Sequence, residues 1–243
     1  MGSVEREHLR ASLEGSGSEH FQALADLLAR RFSCRAFLPD QVPEATIEQM
    51  LALAQMTPSW CNTQPWQVTV TSGAATDRLR EALLADVDRA GAPVPPDLAF
   101  PEAYTGVRLD RRREVGWQLY ESAGIAKGDR EASARQAREN ERLFGAPHAI
   151  LIHTSRELGA YGAVDCGLYL SNLLLAAEAL GLGIIAQAAL AQHGGVIRDM
   201  FDIPDDAQFV VGASFGFADT AHPVNRFRSR RAMPRDNIAR LYE

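Results

Sequence analysis

Pro58-Ser-Trp-Cys-Asn-Thr-Gln-Pro-Trp66, running on into Gln67-Val-Thr-Val-Thr71, is the stretch that organises this chain. Pro58 drives Thr57 out of the α region and so ends the helical pattern before it. Strict alternation follows: Trp66, Val68 and Val70 on one face, Gln67, Thr69 and Thr71 on the other, which predicts a half-buried strand. The connection carries Ser59, Asn62, Thr63 and Gln64 between Trp60 and Trp66. Uncharged amides and hydroxyls supply donors and acceptors, and indoles supply flat apolar faces. That chemistry suits a planar heteroaromatic ligand with a hydrogen-bonding edge. An ordinary helix-to-strand loop with polar caps has the same composition, so the loop alone leaves both readings open.

The 243 residues are 46% hydrophobic and 23% charged, a globular balance in a chain long enough to bury a sizeable core. A net charge of −6 argues against a nucleic-acid partner. Cys34, Cys61 and Cys166 are odd in number and widely spaced, without Cys-x-x-Cys. That pattern argues against a disulfide framework or zinc site and for a reduced, cytoplasmic setting. The six histidines show no metal-ligand spacing, and no metal is expected. The charged N-terminus has no apolar run and does not read as a signal peptide. The most apolar stretch, Gly167 to Leu190, is broken by Asn172, Glu178 and Gln187, which predicts a buried core element and no membrane span.

Residues 1–17 read as a flexible tail and 18–243 as one domain. Ser18 caps a helix striped by Phe21, Leu24, Ala25, Leu27 and Leu28. The helix runs into Arg31-Phe-Ser-Cys-Arg35, where Arg31, Ser33 and Arg35 share a face if the segment is extended. Such a face is an anion site; equally, cationic residues at this point complement a helix C-terminus. Pro43 opens a helix with Ile47, Met50, Leu51 and Ala54 inward, and Ala75 to Arg89 forms another through Leu79, Leu83 and Val87. Ala92 to Tyr104, rich in proline and carrying Phe100 and Tyr104, reads as a lid, a binding loop or a disordered stretch, with a lid over the substrate face as the working expectation. A polar helix with Trp117 and Tyr120 on one face follows, then a charged helix from Asp129 to Leu143. Ala149–His153, Ile184–Leu190 and Gln208–Phe217 are expected strands, and a short helix is expected around Val196 to Phe201. Gly162 to Leu180 is a helix apolar nearly all round, which assigns it to the interior or to a subunit interface; Gly181 ends it. The pattern is α+β: a mixed or antiparallel central sheet surrounded by helices.

Two motifs mislead. Gly181-Leu-Gly-Ile-Ile-Ala186 matches a dinucleotide fingerprint, but it follows a helix and opens a strand, the reverse of what that turn requires. Gly212-Ala-Ser-Phe-Gly216 matches a nucleophile elbow, yet Phe217-Ala-Asp-Thr-Ala-His-Pro223 is turn-like where a helix must follow. A serine hydrolase acting through Ser214 and a non-enzymatic dimeric binding protein are the readings from other classes. A second basic cluster, Arg226, Arg228, Arg230 and Arg231, lies near the C-terminus. Two distant arginine clusters can converge on one phosphate, which guanidinium groups match in geometry.

Arg31-Phe-Ser-Cys-Arg35, Pro58 to Trp66, Asn140 to Pro147, Asp165 to Gly183 and Gly216 to Arg231 occur in the order found in the FMN-dependent nitroreductase family, which the chain resembles from about Ser18 onward. The resemblance implies an intertwined homodimer with FMN at the interface. It implies that Arg31, Ser33 and Arg35, with Arg228 or Arg231, hold the phosphate and ribityl chain. Pro58, Ser59, Trp60 and Asn62 would reach the flavin from the other subunit, in the loop that also presents Gln64. Gln187 and Ala188 would lend backbone to the ring, and Trp60, Phe100, Tyr104, Trp117 and Tyr120 would shape a substrate slot. The implied reaction is ping-pong reduction of nitroaromatics or quinones with NADH or NADPH as donor, with no protein acid or base. The same family contains reductive dehalogenases and flavin-cleaving enzymes, which stand as alternatives.

Overall fold

Where the sequence alternates or runs apolar, the computed structural model, which describes residues 17–89 and 95–239, has strands. These are β1 (Gln67–Ser72), β2 (His148–Ser155), β3 (Gly183–Gln187) and β4 (Ala207–Gly216), in the order β1-β2-β4-β3. All three pairings are antiparallel; the parallel contact among the described residues is an isolated bridge from Ser33 to Ile184. The helices are α1 (Glu19–Arg30), α2 (Glu44–Gln55), α3 (Ala74–Val87), α4 (Gly106–Ser122), α5 (Arg130–Ala137), α6 (Gly159–Ala179) and α7 (Gly194–Phe201). Residues 1–16 of the expected 1–17 tail and residues 92–94 of the expected lid lie outside the described residues.

The sheet is covered on both faces, which explains the unbroken apolar run of β2. Ile150 and Ile152 point into one core with Met50 of α2 and Tyr169 and Leu173 of α6. Ala149 and Leu151 point into the other with Leu79 and Leu83 of α3 and Ile197 of α7. Burying each such leucine or isoleucine contributes about 1.5–3 kcal/mol relative to leaving it in water. The register of β2 on β4 slips between Ile152 and His153, so Val211 and Phe209 fall into opposite cores despite their even spacing.

Several boundaries differ from expectation for local reasons. Pro43 is the cap of α2 and lies just outside the first turn. The charged helix stops at Ala137, where the Asn140 side-chain amide donates to the Ala137 carbonyl at 2.9 Å and competes with the helical ladder. Ile184 to Leu190 is strand only as far as Gln187 and then turns into a 3-10 segment, Ala188–His193. Thr71, on the polar face of β1, is buried against Thr76 because α3 folds over it; Val87, at the far end of α3, is exposed.

Helix α6 is the backbone of the fold, packing on α1, α2, β2 and β3. Gly181 at φ +74° lets Leu182 donate to the Ala177 carbonyl at 2.8 Å and Gly181 to that of Glu178 at 3.1 Å, closing the helix and starting β3. With the turn before it, Arg156–Ala179 is long and apolar enough to cross a membrane by length and composition; here one of its faces is core. The other face leaves Val164 and Leu168 exposed, and α1 leaves Phe21, Leu24 and Leu28 exposed beside it.

Candidate active site

The chain leaves α1 at Arg31 with extended dihedrals (φ −50°, ψ 134°) and runs along the outer edge of β3. The Cys34 amide donates to the Ile184 carbonyl at 3.2 Å. The approach is close: a Cβ on Gly183 would sit 2.9 Å from Cys34 Sγ, so only glycine fits there. Cys34 is wholly buried, and alternation then turns Arg31, Ser33 and Arg35 away from it. Buried Asn225 stitches this segment to the tail: its Oδ1 accepts from the Arg35 amide at 2.8 Å, and its Nδ2 donates to the Ala36 and Asp219 carbonyls, each at 2.8 Å. The tail thereby brings the Arg228 guanidinium to 3.9 Å from the Phe32 ring centroid.

The sequence-distant arginines do meet. Burial, then the neighbouring charge of Arg231, holds Arg31 below the usual guanidinium range, against the pull of Glu178. Burial also lowers Arg35 and Arg228. Glu178, raised by burial against the pull of Arg30, Arg228 and Arg31, is the carboxylate of this cluster and already pairs with Arg30 at 3.2 Å. Positive charge therefore exceeds negative, and an oxyanion is the chemistry that would balance it.

Beside this cluster opens a cavity of about 210 Å³, walled by Arg35, by Ile185 to Ala189, by Leu119 and Tyr120 of α4, and by Gln136, Asn140 and Phe144. β3 is an edge strand, and because the Ile184 carbonyl faces outward to Cys34, period two turns the backbone of Ala186 outward as well. The Gln187 side chain is committed internally: its Nε2 donates to the Asn140 carbonyl at 2.9 Å and its Oε1 accepts from Ser214 Oγ. What remains for a ligand on this wall is backbone, not that side chain.

The Pro58–Trp66 loop stands elsewhere. The Trp60 amide donates to Asp165 Oδ2 at 3.1 Å, and the Trp60 ring meets Tyr161 edge-on at 4.2 Å. Ser59 Oγ accepts from the Gln64 amide at 2.9 Å. Gln55 links the loop ends, donating to Gln64 Oε1 and accepting from Trp66 Nε1. Cys61, Asn62 and Gln64 have φ of 50°, 55° and 45°, and Leu143 and Phe144 have 55° and 53°. Non-glycine residues held in the left-handed region cost about 1–3 kcal/mol each and concentrate at ligand sites. Asp165 lies thirteen residues from Glu178 on α6, so at 1.5 Å per residue the loop is about 20 Å from the arginines of its own chain.

Residues 28–217 match the model of the nitroreductase family. The chain belongs to the nitroreductase family. It is 37% identical over 212 residues to the nitroreductase NfnB of Mycolicibacterium smegmatis, across 87% of this chain and 89% of that one. It is 32% identical over 213 residues to a 4-nitrobenzoate reductase of Pseudomonas putida, across 85% and 90%. Among solved structures it is similar to the FMN-dependent nitroreductase NfnB from Mycobacterium smegmatis in complex with NADPH, with a TM-score of 0.85 and 34% identity, covering 92% of this chain and 100% of that one.

For a nitroreductase family member the one-chain geometry divides the expected residues. Arg31 and Arg228 gather with Glu178, Arg231 is near enough to act on Arg31, and Arg35 lines the cavity; Ser33 bridges to Ile184 on the segment between the two arginines. Gln187 and Ala188 line the cavity, and of the five expected slot aromatics it is Tyr120 that lines it. Phe100 and Tyr104 are exposed, with Arg112 over the Tyr104 ring at 5.3 Å; Trp117 is exposed under Lys127. Sequence reasoning on single residues missed Leu119, Gln136 and Phe144; the signal available for Asn140 and Phe144 was the Asn140–Pro147 segment. Ser214 is fully buried in mid-strand and spends its hydroxyl on Gln187, so it is no nucleophile. Burial pushes the Cys34 thiol up to about 11 and the Cys166 thiol up to about 12, removing both as thiolate nucleophiles near neutral pH.

Proposed function

We propose that this chain is an NAD(P)H-dependent, FMN-dependent reductase of nitroaromatics or quinones that works as a homodimer. The observation that carries this reading is the under-neutralised arginine cluster next to a cavity lined by Arg35 and by Ile185 to Ala189 on and after the edge strand β3. The donor set fits FMN: guanidinium groups for a phosphate, the Ser33 hydroxyl for a sugar chain, and outward backbone for the rim of a ring.

Arg31, Ser33 and Arg35 with Arg228 or Arg231 would hold the phosphate end, and the backbone at Gln187 and Ala188 would face the ring. Pro58, Ser59, Trp60, Asn62 and Gln64 would come from a second copy of the chain, since their own copy keeps them about 20 Å away along α6. Bound there, FMN supplies a ring that takes hydride from NAD(P)H and returns it to an electron-poor acceptor. The protein's part is to hold the phosphate, fix the β3 edge through the Gln187–Asn140–Ser214 network, and give donor and acceptor one shared face. No side chain acts as acid or base. Free, buried Cys34 and Cys166 are in keeping with a reducing, cytoplasmic setting.

The test begins with the absorbance spectrum of the purified protein and calorimetry with added FMN: a flavin band or one FMN per chain is expected. Initial rates against NAD(P)H at several acceptor concentrations should give parallel double-reciprocal lines. A colourless protein that takes up no FMN overturns the reading in favour of a dimeric binding protein. Intersecting lines would mean a ternary complex and a second site.

A further inference from the structure

Helix α4 carries Arg108, Arg111, Arg112 and Arg113 within its first eight residues, Gly106 to Arg113, and no acidic residue in its first turn. This placement is electrostatically adverse. The N-terminal half of a helix favours negative charge, and Arg108 and Arg112 are like charges four residues apart. Neighbouring acids do not repair it: Glu114 is taken by Arg230, Asp110 is a single charge against four and makes no ion pair, and none is made by Arg108, Arg112 or Arg113 among the described residues. Exposure of the helix lowers the cost without removing it.

The geometry connects this charge to the cavity. Leu119 and Tyr120 line the cavity wall. Seven residues is close to two helical turns, so Arg112 lies on the stripe of Leu119 and Arg113 on that of Tyr120, about 10 Å up the axis. Between them on the same face is Gly116, where an added Cβ would meet open space. A shallow track therefore leads from the cavity to two guanidinium groups. Arg112 is steadied by the Tyr104 ring at 5.3 Å, which leaves its in-plane N–H groups to point elsewhere. Arg111 projects from the opposite side of the helix, toward Asn237.

We propose that Arg112 and Arg113 form a phosphate-binding subsite that receives the 2′-phosphate of the nicotinamide dinucleotide donor, making NADPH the preferred reductant. The inference rests on the cavity being the hydride-transfer site proposed above. A dinucleotide whose nicotinamide enters the cavity beside Tyr120 must lead its other nucleoside out along a wall of that cavity, and α4 is the wall that carries two adjacent unpaired cations, where α5 offers the single Arg130. A monoester phosphate with two negative charges suits two adjacent guanidinium groups, whereas a bare ribose hydroxyl leaves them unpaired.

Calorimetry with adenosine 2′,5′-bisphosphate and with 5′-AMP tests the subsite without any turnover, and it is scored whether or not FMN is bound. The wild type should bind the bisphosphate roughly tenfold to a hundredfold more tightly, the range of one or two charge-assisted contacts. R112Q/R113Q, which keeps good helix formers, should abolish that difference and lower the ratio of kcat/KM for NADPH over NADH by a similar factor. R111Q, on the opposite face, should keep the difference. Equal binding of the two nucleotides by the wild type, or a double variant that still discriminates, overturns the proposal, as does an R111Q that loses discrimination. Should the double variant lose its fold by circular dichroism, R113Q alone is read by the same criterion. A protein that binds FMN but treats both nucleotides alike loses only this subsite; one that binds no FMN loses the reductase reading itself.

Discussion

Arg31 is where two physical demands on one residue separate. As the residue that closes α1, it meets a helix C-terminus, which favours a cation by about 0.3–1 kcal/mol. As a half-buried guanidinium beside Arg231, with Glu178 already engaged by Arg30, it is under-neutralised in the fold. Arg31→Ala should therefore weaken FMN binding by about 1.5–3 kcal/mol, the scale of a charged hydrogen bond, while barely moving the melting temperature of the FMN-free protein. Calorimetric titration and a thermal melt on the same sample decide it. Normal FMN affinity with a clearly lower melting temperature would assign the arginine to the helix end.

At the scale of elements, two charge clusters pin segments of the fold, the first of them beside the cavity wall. His193 closes the Ala188–His193 turn, with its Nδ1 2.8 Å from Asp86 on α3 and its Nε2 3.4 Å from Glu141, next to Asn140. Burial works against its charge, but the carboxylates of Glu141 and Asp86 outweigh it and raise its pKa above 6.5. A raised folded-state pKa means the contribution is complete below the unfolded value and fades as pH rises through the folded one. Urea midpoints of the wild type should thus fall between about pH 6 and pH 9 in a way that His193→Gln does not reproduce; parallel curves for the two proteins would remove His193 as the cause. Asp97 does the same work for the proline-rich segment. It accepts from the Phe209 amide at 2.7 Å and from Arg156 and Arg198. Burial alone would raise its pKa, but those donors prevail and lower it. Its contribution is thus present above the unfolded value and lost as pH falls through the lower folded one. Asp97→Ala strands two arginines and should cost about 2–3 kcal/mol in urea denaturation, less than a fully buried pair because Arg156 is 45% exposed. A loss under about 0.5 kcal/mol would mean the segment is not anchored there.

For the whole molecule, the exposed apolar residues are not scattered. Phe21, Leu24 and Leu28 on α1, Leu53 on α2 with Met56 just after it, and Val164 and Leu168 on α6 belong to three helices joined by α6, on which both α1 and α2 pack. A group of exposed apolar residues like this is the expected seat of the homodimer contact. It lies on the side of α6 that also holds Trp60. Sedimentation should give twice the 26.5 kDa chain mass. Leu168→Glu, which places a charge in that face, should yield monomers that no longer retain FMN. A monomer with FMN bound at full affinity would overturn both the dimer and the shared site.

The local code carried much of this. Ser18 as a cap, Gly181 as a stop and the alternation after Pro65 act through neighbours a few residues away, so helix starts, helix ends and strands were legible without coordinates. The pairing of Arg31-x-Ser-x-Arg35 with Asn62-x-Gln-Pro-Trp66 pointed to a phosphate and a planar ring because those side chains carry the chemistry themselves. Other features depend on which surfaces meet. That Thr71 is buried and Val87 exposed follows from where α3 crosses the sheet, and that Phe209 and Val211 part company follows from a slipped register. Gln187 has no free side-chain amide to offer the cavity because Asn140, 47 residues away, and Ser214, 27 away, claim it. The separation of the tryptophan loop from the arginines belongs to this second kind. Periodicity says that α6 is a long helix, but only its packing puts the Trp60 amide on Asp165 near one end and Arg30 on Glu178 near the other.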